Sequence, residues 1–123
     1  MNVNKFTEKA QEAIFGAQQA AESRNHNQVE IEHLLLALLE QPEGLASQVL
    51  QRLGADPNRV HGKVKEEVSR LPKVYGAPSQ VYMSPSLKSV FDRAIQEAGR
   101  LKDEYVSTEH LLLALADDQE KGA

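Results

Sequence analysis

The seven letters EHLLLAL stand at residues 32–38 and again at 109–115, an offset of 109 − 32 = 77 in a chain of 123 residues. Nothing else in the sequence limits the fold so strongly, because self-similarity at a fixed offset means one supersecondary unit used twice. The match runs beyond the seven. With residues 6–41 laid on 83–118 without a gap, 11 of 36 pairs are identical: Ala17/Ala94, Gln19/Gln96, Ala21/Ala98, Val29/Val106 and the seven of the quoted stretch. Other pairs keep their character, among them Phe6/Met83, Thr7/Ser84, Ala13/Val90, Ile14/Phe91 and Glu40/Asp117.

The repeated unit reads as helical. Phe6, Ala10, Ala13, Ile14, Ala17, Ala20 and Ala21 recur at spacings of three and four, which predicts an amphipathic helix from residue 8 to about 24 with a narrow face of small residues. Thr7 stands where an N-cap belongs, and in the second copy Ser84 takes that place with Pro85 at the first helical position. Residues 25–28 are polar and break the pattern. Residues 31–40 are then apolar nearly all round, so this second helix has to be buried on most sides. Pro42 and Gly44 end it. Leu45, Ala46, Val49, Leu50 and Leu53 mark a short third helix stopping at Gly54, and Asp56-Pro57 starts a fourth with the stripe Val60, Val64, Val68, Leu71 before Pro72. One unit therefore has four helices, three of them packed on the second.

The expected layout is repeat one at about 1–72, a connector at 73–83, and a partial repeat two at 84–123. Val74, Tyr75, Val81 and Tyr82 predict that the connector lies against the body. In the second copy, Leu87, Val90, Phe91, Ala94, Ile95, Ala98 and Leu101 predict a first helix and residues 108 to about 117 a second. Counterparts of the third and fourth helices would begin near residue 122, so the reading is all-α, a tandem of four-helix units with the second truncated. Leu111, Leu112, Leu113 and Leu115 then need cover from repeat one or from a second copy of the chain, since each exposed Leu forfeits about 1.5–3 kcal/mol of burial.

At this length one domain can bury roughly two thirds of its unfolded surface, and with no cysteine it does so without disulfides. The 14 basic and 18 acidic residues give a net charge of −4 with no Lys/Arg block, which argues against nucleic acid. The longest apolar runs, 34–39 and 111–116, fall far short of the ~20 residues that span a bilayer, and the N-terminus has no signal-peptide core. A soluble cytoplasmic protein is the default expectation. Gly62-Lys63 lacks the glycine five residues earlier that a phosphate loop needs. His26, His33, His61 and His110 include no i, i+4 pair for a metal. His33 and His110 each follow a Glu at a helix start, where a carboxylate favours the positive helix end and the imidazole makes a local hydrogen bond. Asp103 and Glu109 are the best candidate carboxylate pair, but without a nucleophile they read as caps or solvated groups.

FTEKAQEAI, EHLLLALLEQPEG, LGADP, LPKV and RLKDEYVSTEHLLLAL together resemble the N-terminal domain of the Clp chaperones, and most closely the ClpB-type protein disaggregases. The resemblance spans residues 1 to about 118. It implies two Clp repeats about a pseudo-twofold axis, at the head of a hexameric ATPase whose AAA+ modules thread aggregated protein through a pore. ATP and Mg belong to those modules, so this segment implies no cofactor, no catalytic residue and no metal. The implied partners are unfolded or aggregated polypeptides, with cooperating chaperones acting through the parent protein. The segment alone is expected to be a monomer or weak dimer. The implied groove lies between the first helices of the two repeats and the residues preceding the second buried helix. Carried over to matching positions, its polar residues are Thr7, Asp103 and Glu109 and its apolar ones Leu87, Val90, Phe91 and Tyr105. The competing expectation is an adaptor-docking domain of a protease-coupled Clp unfoldase. A stand-alone enzyme finds no catalytic constellation in this sequence.

Overall fold

A computed structural model describes residues 3–74 and 81–122. After a 3₁₀ turn at Val3–Lys5 come α1 (Glu8–Ser23), β1 (Gln28–Val29), α2 (Ile31–Glu40), α3 (Leu45–Arg52), α4 (Pro57–Ser69), β2 (Tyr82–Met83), α5 (Pro85–Arg100) and α6 (Thr108–Gly122). The helix starts are chemical. Thr7 Oγ1 accepts the Ala10 N–H at 3.2 Å, Ser84 Oγ accepts the Leu87 N–H at 3.1 Å, and Asp56 Oδ1 accepts the Asn58 N–H at 3.0 Å. Pro57 and Pro85 follow their caps, where a missing N–H costs no helical bond.

The stops differ between the copies. Gln41 is extended (φ −68°, ψ 128°) because Pro42 disfavours a helical residue before it, so α2 ends at Glu40. Residues 118–121 hold no such breaker, and α6 runs on to Gly122, past the end near 117 that the repeat predicts. After α1 and α5 the chain turns through left-handed residues, Asn25 (φ 61°) and Lys102 (φ 60°). In each case the next N–H reaches back into the helix, His26 to Ala21 O at 2.9 Å and Asp103 to Ala98 O at 2.8 Å. This is the paired closure of a Schellman turn.

The core follows the apolar pattern. Leu34, Leu36 and Leu38 of α2 are buried, with α1, α3 and α4 packed around them. Ala10, Ala13, Ala17 and Ala21 of α1 are buried too, and Gly16 brings α1 so close that a Cβ there would lie 3.3 Å from the Ala37 Cβ. In the second copy α6 packs on α5, and also on α1 and α3 of the first. That cover buries Leu111 and Leu115 and half-buries Leu112, whereas Leu113 stays 46% exposed.

Two short parallel pairings were not foreseen from an all-helical pattern. Val29 of β1 pairs with Met83 of β2, and an isolated bridge pairs Phe6 with Val106. Add 77 to Phe6 and subtract 77 from Val106, and the second pairing becomes the first. Each half thus pairs its helix-entry segment with the other half. The bonds correspond as well: Ser84 N–H to Val29 O at 3.0 Å, and Thr7 N–H to Val106 O at 2.9 Å. Val74 is half-buried and donates its N–H to Asn25 O at 2.8 Å, and Val81 packs on the core. Tyr82 is backbone-paired but its ring is exposed, and the expectation for Tyr75 lies outside the described residues.

Candidate functional site, an apolar cleft between α1 and α5

Where α1 and α5 face each other across the β1–β2 crossover there is an open cleft of about 140 Å³. Its walls are Ile14, Ala17 and Gln18 from α1, Leu87 and Phe91 from α5, and Val29, Val81 and Met83 from the crossover. Among the described residues no charged side chain lines it. The volume is near that of a cavity of about 150 Å³ lined by Leu, Ile and Phe, which holds one benzene. A single aromatic or branched aliphatic side chain of a partner would fill it.

At this cleft the two halves differ in the pair Phe6/Met83. Phe6, 77 residues before Met83, is 2% exposed and sets its ring edge-on against Phe91, centroids 6.1 Å apart and planes at 87°. It fills its own side of the junction. Met83 is 37% exposed and leaves the corresponding space open. Small Ala17 keeps the floor low.

Of the seven residues carried over from the family resemblance, Leu87 and Phe91 line this cleft as buried walls. Val90 is buried in the core of α5 and does not reach it. Thr7 caps α1 with its hydroxyl and holds Val106 with its N–H. Tyr105, half-exposed, precedes Val106 and so sits beside the Phe6–Thr7 entry, at the opposite crossover from the cleft. Asp103 accepts a hydrogen bond from His110 Nε2 at 2.8 Å, and Glu109 lies exposed in the first turn of α6. The structure therefore groups Thr7, Asp103, Tyr105 and Glu109 around the second crossover, apart from the cleft walls. Sequence reasoning missed Ile14, Gln18, Val29, Val81 and Met83 as walls. The available signal was the Phe6/Met83 pair, a rigid ring facing a flexible chain at one repeat position.

The histidines at the helix starts do make the local bond expected of them. His33 Nδ1 accepts the Glu30 N–H and His110 Nδ1 the Ser107 N–H, both at 2.8 Å. Burial, then His26 and Arg24, pushes His33 down to about 4 from an ordinary 6.5. His26 is lowered by burial first, then by Arg24 and Lys73. Among the described residues no group of three or more His, Cys, Asp or Glu is placed to hold a metal, and no helix is long and apolar enough to cross a membrane.

A family model described as the Clp repeat (R) N-terminal domain matches residues 5–123. The chain belongs to the Clp N-terminal domain family. Its curated relatives are ClpB chaperones. It is 44% identical over 117 residues to chaperone protein ClpB 1 of Parasynechococcus marenigrum, covering 95% of this chain and 14% of that protein. With ClpB of Bacillus cereus it shares 38% over 122 residues, 97% of this chain and again 14% of the relative. The chain thus spans about a seventh of the length of these relatives. Among solved structures, the Hsp104 N-terminal domain from Candida albicans superposes with a TM-score of 0.87 at 25% identity, covering 94% of this chain and 76% of that one. A complex of the ClpV N-domain with a VipB peptide shares the fold, with a TM-score of 0.75 at 22% identity over 94% of this chain and 72% of that one.

Proposed function

We propose that this Clp N-terminal domain captures exposed apolar side chains of unfolded or aggregated polypeptide in the α1–α5 cleft, for AAA+ modules of a longer protein to act on. The single observation that carries the reading is the open apolar pocket beside Met83, at a place that Phe6 fills in the other half. A pocket for one side chain, lined without charge, offers few directional bonds and so takes many sequences weakly. Several such domains on one hexamer would raise avidity against an aggregate that presents many segments. The ClpB identity of the curated relatives and the VipB peptide bound by a ClpV N-domain are consistent with peptide capture by this fold.

In this reading the segment does no chemistry and needs no cofactor of its own. ATP and Mg, the hexamer and contacts with cooperating chaperones belong to the parent chain, which acts in the cytoplasm, and residues 1–123 alone are a monomer or weak dimer. The two halves are copies of one module related by a pseudo-twofold axis, with a first repeat at about 1–72, a connector at 73–83 and a second repeat from 84. The interchange of Phe6–Val106 and Val29–Met83 supports that division.

The test is a titration of the isotope-labelled chain with a reduced, permanently unfolded polypeptide. Amide shifts at Ala17, Met83 and Phe91 are expected. Shifts restricted to residues 63–70, the last turns of α4 and its C-cap, would move the site elsewhere. Indifference to the unfolded chain together with tight binding of one folded adaptor would favour the docking role instead.

A further inference from the structure

The two halves close the same turn with different chemistry. His26 and Asp103 stand 77 residues apart, each directly after a left-handed residue and each held by its own N–H on the preceding helix. That turn aims both side chains at the imidazole in the first turn of the next helix: His26 at His33, with Nδ1 to Nε2 2.8 Å, and Asp103 at His110, with Oδ2 to Nε2 2.8 Å.

The bond directions fix where the protons are. Glu30 N–H donates to His33 Nδ1, so the neutral His33 ring carries its proton on Nε2 and donates it to His26 Nδ1. His26 then keeps its own proton on Nε2, a buried atom with no partner among the described residues. Neither ring has room for a second proton. On His26 it would face the Nε2–H of His33 across 2.8 Å, and on His33 it would face the Glu30 N–H. The charges acting on the pair, Arg24 after α1 and Lys73 after α4, are both cationic. Glu30 and Glu32 at the start of α2 form no ion pair with either ring. In the second half His110 Nε2–H already donates to the Asp103 carboxylate, whose negative charge favours a cationic ring. A proton added at Nδ1, though it faces the Ser107 N–H, finds the Ser107 hydroxyl oxygen 2.9 Å away as an acceptor.

We propose that the buried His26–His33 pair is an acid-sensitive latch on the β1–β2 crossover, and that proton uptake parts the rings and frees this crossover while the Phe6–Val106 bridge stays closed. The consequence reaches the cleft, because Val29 and Met83 are both crossover residues and cleft walls. The latch does not depend on what the cleft binds. For its sign, both histidines are lowered in the folded chain, so the stabilisation is complete above the unfolded value of 6.5. It drains away as pH falls from there towards about 4, the folded value of His33.

Residue-resolved amide exchange on the 1–123 chain between pH 7 and 4.5 decides it. The Tyr82 and Ser84 N–H groups, bonded to Asn27 and Val29, should lose protection about tenfold per pH unit for each proton taken up, while those of Thr7 and Val106 keep theirs. His26→Asp, which installs the second half's carboxylate, should flatten the dependence at Tyr82 and Ser84. Equal loss at both crossovers, or a His26→Asp chain as acid-sensitive as the original, overturns the proposal. Should that variant not fold, imidazole nitrogen shifts of the unaltered chain still test it. His33 with Nε2 protonated and Nδ1 bare near pH 7 supports the latch, and the opposite tautomer refutes it.

Discussion

Ser84 and Thr7 occupy one repeat position and do one job, yet they are not equally replaceable. Ser84 is buried, so removing its hydroxyl leaves the Leu87 N–H without a cap or water, whereas half-buried Thr7 leaves an Ala10 N–H that solvent can reach. Urea denaturation should give a loss of about 1–2 kcal/mol for Ser84→Ala and about 0.5–1 kcal/mol for Thr7→Ala. Both caps were legible in the sequence because a cap is a local event, written in the residue type and the apolar spacing that follows. The His26–His33 pair was not. Its contact runs over seven positions through a left-handed Asn25, and neither Asn25 nor Lys102 is the glycine that usually signals such a turn. Alignment of the copies placed a histidine opposite Asp103, a substitution whose meaning appears only once the turn geometry is known.

Between elements, α1 comes close to α2 at Gly16, where a Cβ would lie 3.3 Å from the Ala37 Cβ. Gly16→Val would drive methyl groups into Ala37, and forced separation of two packed helices costs about 1–3 kcal/mol. Thermal denaturation should show that loss, while the corresponding Arg93 of α5 already lies at the surface, paired with Asp117 of α6, and should accept Ala with far less effect. The order and extents of α1 to α5 follow from breakers and starters that sit in the chain: Pro42, Gly54, Asp56-Pro57 and Ser84-Pro85. The longer α6 was hidden because the copies diverge where α2 meets Pro42, so the repeat predicted a stop that residues 118–121 do not encode. Strands of two residues were beyond reach for a different reason. They are too short to show a period of two, and their pairing is decided by how distant helices dock.

On the scale of the molecule, buried Phe6 and half-exposed Met83 hold matching places at the two junctions. Met83→Phe should let the first crossover copy the second, with the new ring entering the space between Ile14, Leu87 and Phe91. Filling it should raise the unfolding midpoint in proportion to about 1–2 kcal/mol of buried apolar surface, and titration with an unfolded polypeptide should lose its amide shifts. A raised midpoint with unchanged shifts would separate the packing argument from the binding one. The sequence carried the doubling of the unit, and with it the idea of a junction between first helices. It did not carry which side of that junction stays open, since burial of Phe6 and exposure of Met83 depend on contacts between residues some 80 positions apart.

The exchanged pairings also bear on how the chain can be divided. Because Phe6 is anchored by Val106, and Val29 by Met83, neither half completes its backbone bonding from its own residues. A nick within 75–80 should leave pieces that stay associated, and 1–74 mixed with 81–123 should recover helical circular dichroism that neither produces separately. Likeness between the halves thus comes with mutual dependence, and each part is expected to survive only by complementation.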